Sequence, residues 1–257
     1  MTGISLEVEK LNVSTPSKTL LHAVDLTLIR RHVTALIGPS GSGKTLLSKA
    51  LLKQLPNGLT MVCDALRYEG QNVQEMKALL GKRIGYMSQD YMHSFNDHTS
   101  LDEQLLQLYR YHYDVSIKEA HARIHKALGW VGLQDLELKH RYRFMLSGGQ
   151  LQRLVIASVM MLEPDVIIAD EPTASLDVVN GTQLIQLLKH LVDVHDVTLF
   201  IITHDLSHVA RICDDLYVMD QGEIVASGPF QRFDEEHPHP MVSQLFQQRR
   251  RLQGGLS

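Results

Sequence analysis

Two cysteines in 257 residues, Cys63 and Cys213, stand far apart without any C-x-x-C. That argues against a disulfide framework, and the expectation is two reduced core or surface thiols in a cytosolic protein. No stretch approaches the 18 apolar residues that a membrane-crossing helix needs. The acid-bearing start, M-T-G-I-S-L-E-V-E-K, lacks the apolar core of a signal peptide. Anything this chain does at a membrane is therefore expected to be done by docking on another chain. Strong charge is missing as well: a net charge of −4 gives no general pull toward nucleic acid or anionic lipid. No internal repeat or low-complexity tract interrupts the sequence. The apolar share of 44% and charged share of 21% suit one α/β domain with a modest subdomain.

The most informative stretch is Gly38-Pro39-Ser40-Gly41-Ser42-Gly43-Lys44-Thr45, which fits the phosphate-binding P-loop G-x-x-x-x-G-K-[ST]. Its flanks agree with it. Val33–Ile37 is a short apolar run of buried-strand type, and Leu46–Leu55 has helical spacing without Gly or Pro. Glycines let backbone N–H groups turn inward around phosphate oxygens, and the helix N-terminus adds partial positive charge. Lys44 is then placed to reach the β- and γ-phosphates and Thr45 to ligate Mg²⁺, which implies a nucleoside triphosphate site.

Around this centre, Ile4–Val13 alternates as a half-buried strand and Leu20–Ile29 reads as another, with a turn at Thr15–Lys18 between them. Pro56-Asn57-Gly58 ends the P-loop helix, and a polar, hairpin-like stretch runs to Asn72. Lys82–Met87 is a strand leading into Ser88-Gln89-Asp90. Leu101–Tyr113 and Ile117–Trp130 have helical spacing and, with Val131–Arg143, predict a mostly helical insertion. A second glycine turn, Leu146-Ser147-Gly148-Gly149-Gln150, opens the helix Leu151–Leu162. Asp165–Ala169 is a buried strand running into Asp170-Glu171-Pro172. Gly181–Val194 is an amphipathic helix, and Val197–Thr203 a strand ending at His204. Leu216–Met219 and Glu223–Ala226 read as a closing hairpin. From Phe230 the tail is expected to be helical and polar, with Arg249-Arg250-Arg251 solvated. A strand ending in Asp170-Glu171 supplies the other half of a nucleotide site. Asp170 can hold Mg²⁺ directly or through water, and Glu171 can polarise a water in line with the γ-phosphate.

With L-S-G-G-Q at Leu146–Gln150 some twenty residues before that acidic pair, the chain resembles the ATP-binding subunits of ABC transporters over essentially its whole length. Gln89 resembles the family's Q-loop, Ser175-Leu176-Asp177 its D-loop and His204 its H-loop. The resemblance implies a P-loop NTPase core (33–88 and 163–214), a small antiparallel β-subdomain (1–32 and 215–228), a helical subdomain (89–162) and a C-terminal helical tail (229–257). It also implies ATP and Mg²⁺ as ligands, with Thr45, Gln89 and Asp170 on the metal. ATP is expected between two such subunits, the P-loop of one facing Ser147, Gly148, Gly149 and Gln150 of the other. Lys44, Glu171 and His204 are the expected catalytic residues. Glu171 orients the attacking water, His204 contacts the γ-phosphate and holds Glu171, and Asp177 cross-links the two sites. The implied partners are a second, different ATP-binding subunit, two transmembrane permeases that dock on the helical subdomain, and indirectly an extracytoplasmic binding protein. The implied place is the cytoplasmic face of the cell membrane, reached only through the permeases, with no nucleic-acid partner.

The words around the motifs narrow the resemblance to importers of dipeptides, oligopeptides and nickel. Ser94-Phe95-Asn96-Asp97 resembles their S-F-N-P, with Asp97 in place of Pro. Arg143–Arg153 resembles P-F-x-[LM]-S-G-G-x-x-Q-R, and His237-Pro238-His239-Pro240 resembles H-P-Y-T. The overall wording is most similar to the first ATP-binding subunit of nickel import systems. Three further departures carry expectations. The family places an aromatic side chain near position 15 to stack on adenine; here Thr15 stands there, and Met1–Leu66 contains no Phe, Tyr or Trp. His22 or an apolar neighbour is expected to substitute, with weak base selectivity. Arg31-His32 occupies a usual Gly-Glu turn. The cysteine-bearing tail that holds an iron–sulfur cluster in many relatives is not matched, so no cluster is expected. Of the fourteen histidines, the pairs His93/His98 and His237/His239 lack a completed ligand set and are read as surface residues.

Overall fold

The computed structural model describes residues 3–174, 176–233, 237–244 and 246–247. Two sheets organise them. The central sheet has six strands in the order β11-β10-β3-β9-β8-β7. They are β3 (Val33–Ile37), β7 (Ile84–Met87), β8 (Val166–Asp170), β9 (Thr198–Thr203), β10 (Asp215–Asp220) and β11 (Glu223–Pro229). All neighbours pair in parallel except β10 and β11. A parallel sheet is covered on both faces, which is why β3, β8 and β9 are buried at every residue and read as unbroken apolar runs. Alternation shows within the runs all the same. Ile167, Ala169, Leu199 and Ile201 face one core, while Val166, Ile168, Phe200 and Ile202 face the other.

The first core is filled from the helical side. Its helices are α3 (Leu101–His112), α4 (Ile117–Trp130), α5 (Gly148–Met160) and α6 (Val178–His195). Their starts follow from capping chemistry. Ser100 accepts from the Glu103 amide, and Ser116 and Glu119 form a reciprocal capping box at α4. The second core is shared with α1 (Lys44–Leu51) and a five-stranded sheet. In that sheet β1 (Ile4–Ser14) pairs antiparallel with β2 (Thr19–Ile29), β4 (Thr60–Val62) and β5 (Ala65–Tyr68), and β6 (Gln71–Asn72) closes its edge. The short helices α2 (Met76–Leu79) and α7 (Leu206–Val209) join them, and residues 240–244 and 246–247 of the tail are helical.

The architecture departs from the sequence reading in three places. The hairpin β10–β11 belongs to the central sheet, not to the antiparallel one, because Leu216 and Val218 are wholly buried in the first core and β10 runs parallel beside β3. Its place in the antiparallel sheet is taken by the stretch 60–72, whose strands bury Ala65 and Leu66. Val131–Arg143 contributes turns rather than helix, held by short-range bonds such as Leu133 N to Leu128 O and Arg141 N to Leu138 O. The described part of the tail is not simply polar either: Phe233, Val242 and Phe246 are buried in the first core. The three arginines expected to be solvated lie outside the described residues. At the usual Gly-Glu turn, Arg31 adopts φ 62°, a backbone that favours glycine, and His32 Nδ1 lies 2.8 Å from Asp215.

Candidate functional site

The strand β3 delivers the P-loop between its neighbours β10 and β9. The loop then packs against the far end of β10, so closely that a Cβ on Gly38 would lie 2.1 Å from the Met219 carbonyl oxygen. Gly43, at φ 109°, caps α1 where a Cβ would lie 2.6 Å from Leu21. The first N–H groups of α1 have no partners within the helix, the arrangement that suits an anion. Ser42 is 3% exposed and its Oγ lacks a hydrogen-bond partner, a buried donor that a phosphate oxygen would satisfy. Lys44 folds back over the loop, donating to the carbonyls of Gly38 at 2.8 Å and Pro39 at 2.9 Å. Burial lowers its pKa, against the opposing pull of Glu171 and Asp170. It is a desolvated cation held over the phosphate cradle.

Beside the loop, the end of β8 presents Asp170, which is fully buried. Its carboxylate accepts from the hydroxyls of Thr45 (3.2 Å), Ser48 (3.3 Å) and Tyr86 (3.4 Å). Burial raises its pKa above the usual carboxylate range. Thr45 and Asp170 together offer hard oxygen donors in contact with each other, the chemistry that fits Mg²⁺. Glu171 follows at φ 49°, its amide donating to Ile202 O of β9 at 2.8 Å. Its carboxylate accepts from Thr203 Oγ1 at 3.3 Å and lies 2.9 Å from His204 Nδ1. Glu171 is buried while the His204 side chain is 57% exposed, so the pair reaches from the core to the surface.

Lys44, Thr45, Gln89, Glu171 and His204 all border one cavity of about 800 Å³. The P-loop, Gln89, Glu171 and His204 thus converge on one cavity. Other bordering residues had escaped the sequence reading: Lys18, Thr19, Leu20, Gln221 and Gly222. Gly222 lies in the β10–β11 turn, where Asp220-Gln221-Gly222 signalled only a hairpin. It donates to Ser42 O and accepts from the His22 amide, both at 2.9 Å, joining the P-loop to the antiparallel sheet. Ser48 was legible in principle, being one turn after Thr45 on the same helix face. Thr15 does not border the cavity. Its Oγ1 closes its own turn, donating to Lys18 O at 3.1 Å and accepting from the Lys18 amide at 2.9 Å. His22 does border it.

Ser147, Gly148, Gly149 and Gln150 stand elsewhere. They do not line this cavity, and Ser147 and Gly148 are exposed. Ser147 is the N-cap of α5: its hydroxyl accepts from the Gln150 amide at 3.2 Å while Gln150 Oε1 accepts from the Ser147 amide at 3.0 Å. Asp177 similarly caps α6 by accepting from the Asn180 amide at 2.9 Å, which lowers its pKa, and it lies at the exposed end of that helix. Ser175 of the same turn lies outside the described residues.

Near α5, Phe144 and Met145 are exposed at 67% and 50%, with Met92 at 42%. Arg143 links their two segments, pairing with Asp97 (Nη2 to Oδ2 3.0 Å) and donating to the Met92 carbonyl. Asp97 and Arg143 both stand where the importer words have Pro, so the two departures compensate each other as a forked ion pair. The histidine pairs hold no metal arrangement. His93 Nδ1 sits against Asp90, and the Nδ1 atoms of His237 and His239 accept from backbone amides. Among the described residues, no group of three or more His, Cys, Asp or Glu could hold a metal ion, and no helix is long and apolar enough to cross a membrane.

Comparison with known proteins accounts for this arrangement. The model of the ABC transporter family matches residues 21–174. The nickel import system ATP-binding protein NikD of Staphylococcus aureus (strain USA300) is 47% identical over 248 residues, 96% of each chain. That of strain MW2 is 46% identical over the same span. Among solved structures, cbiO1 of Clostridium perfringens, part of the ABC transporter complex cbiONQ, superposes with a TM-score of 0.76 at 26% identity, covering 99% of this chain and 98% of that one. The chain belongs to the ABC transporter family, as one of its ATP-binding, ATP-hydrolysing subunits.

Proposed function

We propose that this subunit powers a nickel importer, acting on the free ion or a metal chelate. It works at the cytoplasmic face of the cell membrane, paired with a second, different ATP-binding subunit on two permeases that receive cargo from an extracytoplasmic binding protein. The observation that carries the reading is the 47% identity, across 96% of both chains, to a nickel import ATP-binding protein. What supports the paired mechanism is the split site: the P-loop cavity lacks Ser147–Gln150, which cap an exposed helix start instead.

In this mechanism Lys44 moves from the Gly38 and Pro39 carbonyls to the β- and γ-phosphates of ATP. Thr45 and Asp170, with Gln89 nearby, would hold Mg²⁺, which when bound neutralises phosphate charge. Glu171 orients the attacking water and accepts its proton, while His204 and Thr203 fix the carboxylate that does so. Ser147 and the first N–H groups of α5 meet the γ-phosphate bound in the partner's cavity, so ATP draws the two subunits together and hydrolysis releases them. Asp177 lies at the same meeting surface. The exposed apolar residues Met92, Phe144 and Met145 supply contact for a permease.

Reconstituted with its permeases, partner ATPase and binding protein, the complex is expected to accumulate labelled nickel in an ATP-dependent manner. Uptake of labelled dipeptide with no nickel uptake would assign the subunit to a peptide importer instead. Glu171→Gln is expected to abolish turnover and trap an ATP-bound closed pair; unchanged turnover in that variant would refute the mechanism.

A further inference from the structure

The helix that carries Ser147–Gln150 is tied to the loop that follows the general base by a buried side chain. Gln152 lies in the second turn of α5 and is 2% exposed among Leu151, Leu154 and Val155. Its side-chain amide donates to the carbonyl of Pro172, the residue that follows Glu171. A glutamine in such a place is unexplained by packing, since burial of an amide is unfavourable unless it is bonded. Pro172 is itself buried, so its carbonyl needs a donor there.

The loop after Glu171 is gripped at several points. Glu171 N donates to Ile202 O, Ala174 N bonds back to Glu171 O at 3.2 Å, and Thr173 Oγ1 lies 3.2 Å from His208 Nδ1. Three of these anchors belong to the central sheet, the loop itself or α7. Among the hydrogen bonds of the described residues, only that of Gln152 reaches the loop from α5. Gln152 stands five positions after Ser147, about 7.5 Å along the helix axis at 1.5 Å per residue. A rigid helix of this kind passes a displacement at its N-terminus to its second turn with little loss, because its backbone ladder is continuous.

We propose that Gln152 is a positioning residue that couples the two ATP sites of the assembled pair. When Ser147 closes on the γ-phosphate in the partner's cavity, α5 shifts, and Gln152 carries that shift through Pro172 to the backbone of Glu171 in this subunit's own cavity. The general base is thus brought into register only when the opposite site is filled. The proposal rests on the paired-site mechanism above, and it predicts cooperative hydrolysis whose cooperativity depends on one hydrogen bond.

The test uses the complete chain assembled with its partner ATPase and permeases. Gln152→Met keeps the length of the side chain and removes the donor. It is expected to leave the affinity for a fluorescent ATP analogue within about twofold of wild type, because no P-loop group is touched. It is expected to lower kcat about tenfold with little change in KM, and to bring the Hill coefficient for ATP down toward 1. Gln152→Asn keeps an amide but withdraws it from the Pro172 carbonyl by one methylene. It carries the same expectation and stands in its place if the Met variant fails to fold, as judged by loss of analogue binding. Wild-type kcat and Hill coefficient in a folded variant would overturn the proposal, as would a loss confined to KM. The underlying mechanism is read separately: if Glu171→Gln fails to trap a closed pair, that reading falls, whereas trapping together with an unaltered Gln152 variant removes the coupling role alone.

Discussion

Replacing Ser147 by Asp separates what that residue does for the fold from what it does for ATP. In the fold Ser147 caps α5 through its bond with the Gln150 amide. Asp is an equally good N-cap, and its charge next to the helix N-terminus adds roughly 0.3–1 kcal/mol. At about 2–4 °C per kcal/mol for a chain of this size, the melting temperature should stay level or rise by up to ~4 °C. Across the subunit interface the outcome is opposite. A carboxylate about 4 Å from one unit of phosphate charge, at an effective dielectric near 20, is repelled by about 4 kcal/mol. That corresponds to about a thousandfold loss of closure, since 1.4 kcal/mol is about tenfold. Binding of ATP to the chain's own P-loop should be unaffected, because Ser147 does not border that cavity. Ser147→Ala is the counterpart: losing the cap costs about 1 kcal/mol, so it should melt some 2–4 °C earlier yet keep more turnover than the Asp variant. Scanning fluorimetry, binding of a fluorescent ATP analogue and phosphate release by the assembled transporter measure the three quantities. Near-normal turnover in Ser147→Asp, or a drop in turnover that merely follows the melting temperature, would refute the reasoning.

Gly222→Ala should destabilise the chain by about 2–3 kcal/mol and weaken ATP binding. Its φ of 85° disfavours a side chain, and the new Cβ would lie 2.2 Å from Leu20 O. Equal melting curves and ATP affinity for the variant and wild type would count against the bridge between Ser42 and His22. GTP should compete for the site with an affinity within about tenfold of ATP in an equilibrium competition assay, because no Phe, Tyr or Trp among the described residues borders the cavity and base stacking is worth about 1–3 kcal/mol; strong ATP preference would contradict this. Burial raises the pKa of Asp170, so its ionisation opposes folding: stability is fully present below the unfolded pKa and is lost as pH rises through the raised one. In nucleotide-free, metal-free buffer, Asp170→Asn should therefore melt above wild type at pH 8, by a margin that narrows as pH falls through the raised pKa toward the ordinary value of 3.8, and a margin still unchanged at pH 4 would show that the carboxylate bears no such penalty.

Much of the site could be read from the chain because its parts are local. The run Val33–Ile37 followed by glycines and Lys44 dictates strand, loop and helix within a dozen residues, and all three are found there. The glycine turn at Leu146–Gln150 and the helix after it were legible too, although the helix starts at Gly148 rather than Leu151, with Ser147 and Gln150 as its capping box. The hairpin 215–229 was legible as a hairpin, but its sheet was not. A pair of alternating strands looks the same whichever sheet it joins, and the choice was made by Leu216 and Val218 finding the core beside β3. Thr15 is a different case. It stands where the family places an aromatic ring, and its hydroxyl closes its own turn.

What the chain determined by itself, then, is the set of chemical groups: a phosphate loop, two acidic residues at a strand end, a histidine and a capped helix start. The tertiary structure decided which of them meet. It set Asp170 3.2 Å from Thr45 across 125 residues by placing β8 beside β9 and β9 beside β3. It kept Ser147 out of the cavity those residues form and put Gln152 under Pro172. Local backbone preference acts over a few bonds, but strand order and helix packing are settled by burial of side chains from distant segments, and no short word records that outcome.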